Sequence, residues 1–110
     1  MLPNALQAEI PVEKIRDYLL SNSHPTGKFK ATFFRSLGFT LENHAELTRE
    51  FRRLVNSADA NLADSNDYGQ KYVVRGMIRG PNGKEAEIES VWIVLNSTSH
   101  PRFITAYPGA

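Results

Sequence analysis

The stretch Tyr72-Val73-Val74-Arg75-Gly76-Met77-Ile78-Arg79-Gly80-Pro81-Asn82-Gly83-Lys84-Glu85-Ala86-Glu87-Ile88-Glu89-Ser90-Val91-Trp92 decides the fold. Its side chains alternate with period two on both sides of Gly80-Pro81-Asn82-Gly83, the pattern of two strands joined by a tight turn. Proline presets the first turn position, and Asn or Gly accepts a positive φ. A three-residue loop, Pro81 to Gly83, with Gly83 left-handed, sets Arg79 opposite Glu85, Met77 opposite Glu87 and Arg75 opposite Glu89. Two of those pairs join opposite charges, each worth about 0.2–1 kcal/mol. The other face pairs Ile78 with Ala86, Val74 with Ser90 and Tyr72 with Trp92. A loop one residue shorter puts Arg75 opposite Ile88 and loses the match.

Beyond this hairpin, Val91, Ile93 and Leu95 make the end of the second strand apolar on both faces, which predicts a central strand covered on both sides. A further strand, Phe103 to Tyr107, follows the turn at Ser97–Pro101. Residues 56–69 are rich in Asn, Asp, Ser and Ala and read as loop, with a short strand near Leu62.

Upstream the period lengthens. Pro11 suits the first turn of a helix, and Val12, Ile15 and Leu19 form an apolar stripe after it. His24-Pro25 ends that helix. A second helix is expected from Thr26 to Leu37, with Phe29, Phe33 and Leu37 inward, Lys28, Thr32 and Arg35 outward, and Gly38 as its stop. Lys30 and Phe34 fall between the two faces. A third begins near Asn43, with Glu46 at capping-box spacing and Leu47, Phe51, Leu54 and Val55 inward. Residues 1–9 read as a flexible arm and residues 10–110 as a single domain. The fold class is α+β: about three N-terminal helices packed on a three- or four-stranded antiparallel sheet.

The 110 residues carry 13 Lys and Arg against 12 Asp and Glu, so whole-molecule attraction to nucleic acid is weak. The distribution is uneven, however. No acidic residue lies between Asp17 and Glu42, while His24, Lys28, Lys30 and Arg35 do, a recipe for a local positive patch. Cysteine is absent, which rules out disulfides and thiolate metal sites. No apolar run approaches the roughly 20 residues that span a bilayer. The expectation is a cytoplasmic protein with no membrane association.

Three stretches could carry chemistry. His24-Pro25-Thr26-Gly27-Lys28-Phe29-Lys30 places a histidine and two lysines where a loop enters a helix, and helix N-termini attract anions. His24 titrates near neutral pH and can serve as acid or base. The bland interpretation is a turn followed by a solvated face. Tyr68-Gly69-Gln70-Lys71-Tyr72 alternates aromatic and basic residues, a pattern that can stack nucleotides or simply begin a strand. On Phe103-Ile104-Thr105-Ala106-Tyr107, Thr105 and Tyr107 share a face. They either line an open site or pack beneath the helices. His24, His44 and His100 stand far apart, so neither metal nor cofactor is expected.

The runs I-P-V-E-K-I-R-D-Y-L-L (residues 10–20), H-P-T-G-K-x-K-A-x-F-F-R-S-L-G-F (24–39), Y-G-x-K-Y-V-V-R-G (68–76), V-W-I-V (91–94) and P-R-F-I-T-A-Y-P (101–108) resemble an uncharacterised family of small bacterial domains. More distantly, the chain is similar to the ribonuclease fold shared by barnase, EndoU, colicin nucleases and RelE. That likeness implies helices before an antiparallel sheet and metal-free chemistry using His, Lys, Arg, Thr or Tyr. The leading expectation is thus a toxin-type endoribonuclease domain acting on RNA. His24, Lys28 and Thr105 would be catalytic, and Lys30, Arg35, Lys71 and Tyr107 would bind substrate. An antitoxin-like protein partner would accompany it. The alternative is a non-catalytic protein-interaction module, or a homodimer built on an exposed Phe103–Tyr107 edge.

Overall fold

A computed structural model describes residue 2, residues 4–20 and residues 28–109. The chain runs through a 3₁₀ turn (Ala5–Gln7), a π-helical segment (Lys14–Leu19), helices α1 (Lys28–Ser36) and α2 (His44–Ser57), and strands β1 (Ala60–Asn66), β2 (Gly69–Arg79), β3 (Glu85–Leu95) and β4 (Pro101–Pro108). The strands form one antiparallel sheet in the order β1-β2-β3-β4. The architecture is α+β with a four-stranded meander.

The β2–β3 hairpin has the register that its charges predict. Arg79 faces Glu85, Arg75 faces Glu89, and Tyr72 faces Trp92. Gly83 takes φ 87°, and its N–H donates to the Gly80 carbonyl. Asn82 at the tip donates its side-chain amide to Ser36 O, docking the hairpin onto the end of α1. That end is closed by Gly38 at φ 98°. Its N–H donates to Arg35 O and the Phe39 N–H to Phe34 O, the paired bonds that satisfy the last carbonyls of a helix.

One face of the sheet carries the core. Val74 and Ile78 of β2, Ile88 and Trp92 of β3, and Phe103 and Ala106 of β4 are buried against Leu47, Phe51, Leu54 and Val55 of α2. Phe34 meets Phe51 edge-on at 6.1 Å, Phe51 stacks on Phe103 at 4.8 Å, and Phe103 meets Trp92 edge-on at 5.3 Å. This aromatic chain ties α1, α2, β4 and β3 together.

Several expectations need correction. The first helix forms as a π-helical turn, in which Ile15 and Leu19 are buried but Val12 is exposed. Leu37 is buried as expected and Phe33 half-buried, but Ala31 and Phe34 of α1 are also buried, so the core face of the helix includes Phe34, which the helical wheel set between faces. Asn43 precedes α2 as expected, but its side chain accepts from the Thr40 N–H and donates to Gly38 O, so no capping box forms. The short strand expected near Leu62 forms as β1 and is longer than expected, taking up Ala60–Asn66 of the segment otherwise read as loop. β3 is a central strand as expected, but Val91, Ile93 and Leu95 on its far face are only half-buried. The residues expected as an arm contribute Leu2, Ala5 and Ala8 to the core. Glu9 pairs in parallel with Arg102 on the β4 edge, bonding Pro101 O and the Phe103 N–H.

Candidate functional site

A single irregularity in β4 creates the site. Trp92 pairs with Phe103, but the next residue back, Val91, pairs with Thr105. The extra residue is a β-bulge, and it switches the faces of the strand. Phe103 therefore enters the core beside Trp92, while Thr105 and Tyr107 sit opposite Val91 and Glu89, facing away from it.

The neighbouring elements are anchored by their apolar residues. Buried Ile15, Leu19 and Leu20 hold the π-helical segment, which closes with the Leu20 N–H on Ile15 O. Tyr18 rides on that segment, and Lys30 rides on α1 between buried Ala31 and Phe34 and the solvent. The Lys30 ammonium donates to Tyr18 Oη at 2.9 Å and to Thr105 Oγ1 at 2.9 Å. Thr105 and Tyr18 hydroxyls are themselves 3.4 Å apart. Three separate elements thus converge on one cation.

Lys30 Nζ also lies 6.0 Å from the Tyr107 ring centre. Lys14 Nζ lies 5.7 Å from the Tyr18 ring centre, so two ammoniums flank one phenol. Tyr107 pairs with Glu89 across the sheet, and that carboxylate raises the Tyr107 pKa, with burial adding to the rise. Glu89 in turn forms an ion pair with Arg75. The Arg75 hydrogen bond, then that of Tyr107, holds the Glu89 carboxyl below its usual value. The Arg75–Glu89 pair thus stands next to Tyr107 on the sheet.

An ammonium has three N–H donors. Two are taken by neutral hydroxyls, and among the described residues no carboxylate pairs with Lys30. Four of the eight arginines, by contrast, have carboxylate partners: Arg16 pairs with Asp17, Arg53 with Glu50, Arg75 with Glu89 and Arg102 with Glu9. A partly buried cation held only by neutral groups favours an incoming anion, such as a phosphate oxygen.

Of the residues singled out from sequence, Lys30, Thr105 and Tyr107 come together here. His24 lies outside the described residues, and Lys28 is described only as the first residue of α1. Arg35 lies in the last turn of α1 and Lys71 on β2 opposite Ile93; no described hydrogen bond or ion pair joins either to the Lys30 cluster. Sequence reasoning missed Tyr18, Lys14 and the place of the Arg75–Glu89 pair beside Tyr107. Lys14 and Tyr18 stand four apart, a spacing that puts them on one side of a helical turn, and that signal was available. His44 bonds Leu41 O and His100 bonds Glu9, so both have structural partners. Among the described residues no three His, Asp or Glu side chains gather in a metal-holding group.

A family model described as a domain of unknown function (DUF6883) matches residues 1–110. No curated protein sequence matches the chain. Among solved structures, a chain of the "Contact-dependent growth inhibition toxin - immunity protein complex from Klebsiella pneumoniae 342" superposes with a TM-score of 0.71 at 23% identity. The match covers 96% of this chain and 97% of that one. At this identity the likeness establishes a shared fold.

Proposed function

The chain belongs to the family described as domain of unknown function DUF6883, and from that premise we propose a toxin-type, metal-free endoribonuclease whose phosphate site is the Lys30–Tyr18–Thr105 cluster. The observation that carries this reading is the Lys30 ammonium, held by two neutral hydroxyls with no described carboxylate. A growth-inhibition toxin is one of the two components named for the complex that shares the fold.

Metal-free RNA cleavage proceeds by attack of the 2′-oxygen on the adjacent phosphorus as the bond to the 5′-oxygen breaks. A base takes the 2′-hydroxyl proton, an acid protonates the 5′-oxygen, and cations stabilise the charge that builds on phosphorus-bound oxygens. In this reading His24 is the acid or base, Lys28 and Lys30 are the cations, and Thr105 positions the phosphate. Tyr107, beside Glu89 on the sheet, offers a ring to an adjacent base, and Lys71 and Arg35 contact the flanking chain. The site of action is the cytoplasm, and a protein inhibitor restrains the activity.

Induced expression in bacteria tests the toxin reading. Wild type arrests growth; folded Lys30→Met and His24→Ala do not. Growth unaffected by well-expressed, folded wild type would sink it. The second reading, a non-catalytic interaction module, draws on the same complex, which pairs a toxin with another protein. It gains if all three proteins are harmless.

A further inference from the structure

The sheet has two edges of opposite character. The β4 edge is occupied near Arg102 by Glu9 and carries the Lys30 cluster. The β1 edge is open. Residues Asn61 to Asn66 are all exposed, and β1 has a pairing partner on one side only. An unpaired edge presents a row of backbone donors and acceptors to any strand that can approach.

Charge decides which strand can approach. From Asn56 to Gln70 the chain carries Asp59, Asp64 and Asp67 and no Lys or Arg, and all three carboxylates are exposed. Such an edge repels a second copy of itself, and it repels RNA. Beside the carboxylates stand two large apolar side chains, Leu62 between Asp59 and Asp64 and Tyr68 just after Asp67, each 74% exposed. The hairpin is also rigidly held. Asn66 Oδ1 accepts from the Tyr68 and Gly69 N–H groups, and Asn96 bonds both Tyr68 O and Asp67 O. Gln70 reaches Ala63 O at the bulge between Leu62 and Ser65. A preformed edge loses little entropy on binding.

We infer that β1 is a docking edge for a partner protein that adds a strand carrying basic side chains, anchored on Leu62 and Tyr68. Backbone bonds would supply affinity, and the aspartates would select the partner by charge. This inference goes beyond the ribonuclease reading and stands whether or not the Lys30 cluster cleaves RNA.

The test uses the whole chain with three probes: a short extended peptide alternating lysine and valine, its glutamate counterpart, and a single-stranded RNA. Amide hydrogen exchange and NMR shifts are followed. The lysine peptide is expected to slow exchange and move resonances across residues 60–68, while the other two probes leave that region unchanged. In the exposed charge-reversal variant Asp59→Lys with Asp64→Lys, affinity for the lysine peptide should fall roughly tenfold and the glutamate peptide should gain. Leu62→Ala should weaken binding with the charges intact. The inference is overturned if the lysine peptide leaves exchange at 60–66 unchanged, if charge reversal does not exchange the preference, or if the edge instead binds RNA or a second copy.

Discussion

Ser90 is buried in the sheet directly beneath the site, between Glu89 and Val91, which pair with Tyr107 and Thr105. Its hydroxyl donates to Val74 O at 3.0 Å and accepts from the Trp92 indole N–H at 2.9 Å. Ser90→Ala removes both bonds and leaves the indole N–H buried with no acceptor. Stranding a buried donor costs about 1–3 kcal/mol. A central value of about 2 kcal/mol, at roughly 4 °C per kcal/mol for a domain of this size, lowers Tm by about 8 °C. Trp92 is the chain's one tryptophan, so its fluorescence reports unfolding of this region. The decisive comparison is a double-mutant cycle with Trp92→Phe, which removes the donor. Once the N–H is gone, Ser90→Ala should cost about 1 kcal/mol less than it does in wild type. Additive effects, or a Ser90→Ala shift under about 0.5 kcal/mol, would refute the hydrogen-bond reasoning.

Lys30→Met should weaken single-stranded RNA binding and lower the salt slope by about 0.7, the value for one phosphate contact, measured by fluorescence anisotropy across salt concentrations. The Glu89 carboxyl is held below its ordinary 4.5 by Arg75 and Tyr107, so its stabilising contribution is present above that value and lost as pH falls through the folded pKa. Denaturation midpoints of wild type and Glu89→Gln should therefore converge in acid. Tyr107, raised above 10.0, has the opposite sense: its contribution is full below 10.0 and lost as pH rises through the folded pKa. Gly80→Ala would put a Cβ 1.7 Å from Leu37 O, whereas Gly83→Ala meets nothing within 4 Å and bears only its left-handed strain, about 1–2 kcal/mol. Urea midpoints should rank Gly80→Ala as clearly the more damaging.

The β2–β3 register was legible because cross-strand charges and a Pro-Asn-Gly turn leave one good alignment, and α2 was legible because four apolar residues mark its inner face. The β4 bulge was not. No residue type announces it, and without it Phe103, Thr105 and Tyr107 share a face. Three strictly alternating residues read as packed together, when Phe103 is core and the other two are site. The π-helical segment was hidden for a similar reason: the Ile15 and Leu19 spacing fits an α-helix equally well. Lys30 stood between faces on the helical wheel, and only its meeting with Thr105, 75 residues away, shows what it holds. Strand β1 was legible only near Leu62, and its full length was obscured by its polar composition, because an exposed edge needs no apolar alternation.

The most direct test of the ribonuclease reading incubates purified wild type, Lys30→Met and Thr105→Val with total RNA in chelator and analyses the ends of the products. Wild type should produce fragments with 2′,3′-cyclic phosphate and 5′-hydroxyl ends without added metal, and both folded variants should lose most of that activity. Intact RNA with folded wild type, or equal cleavage by all three proteins, would contradict it.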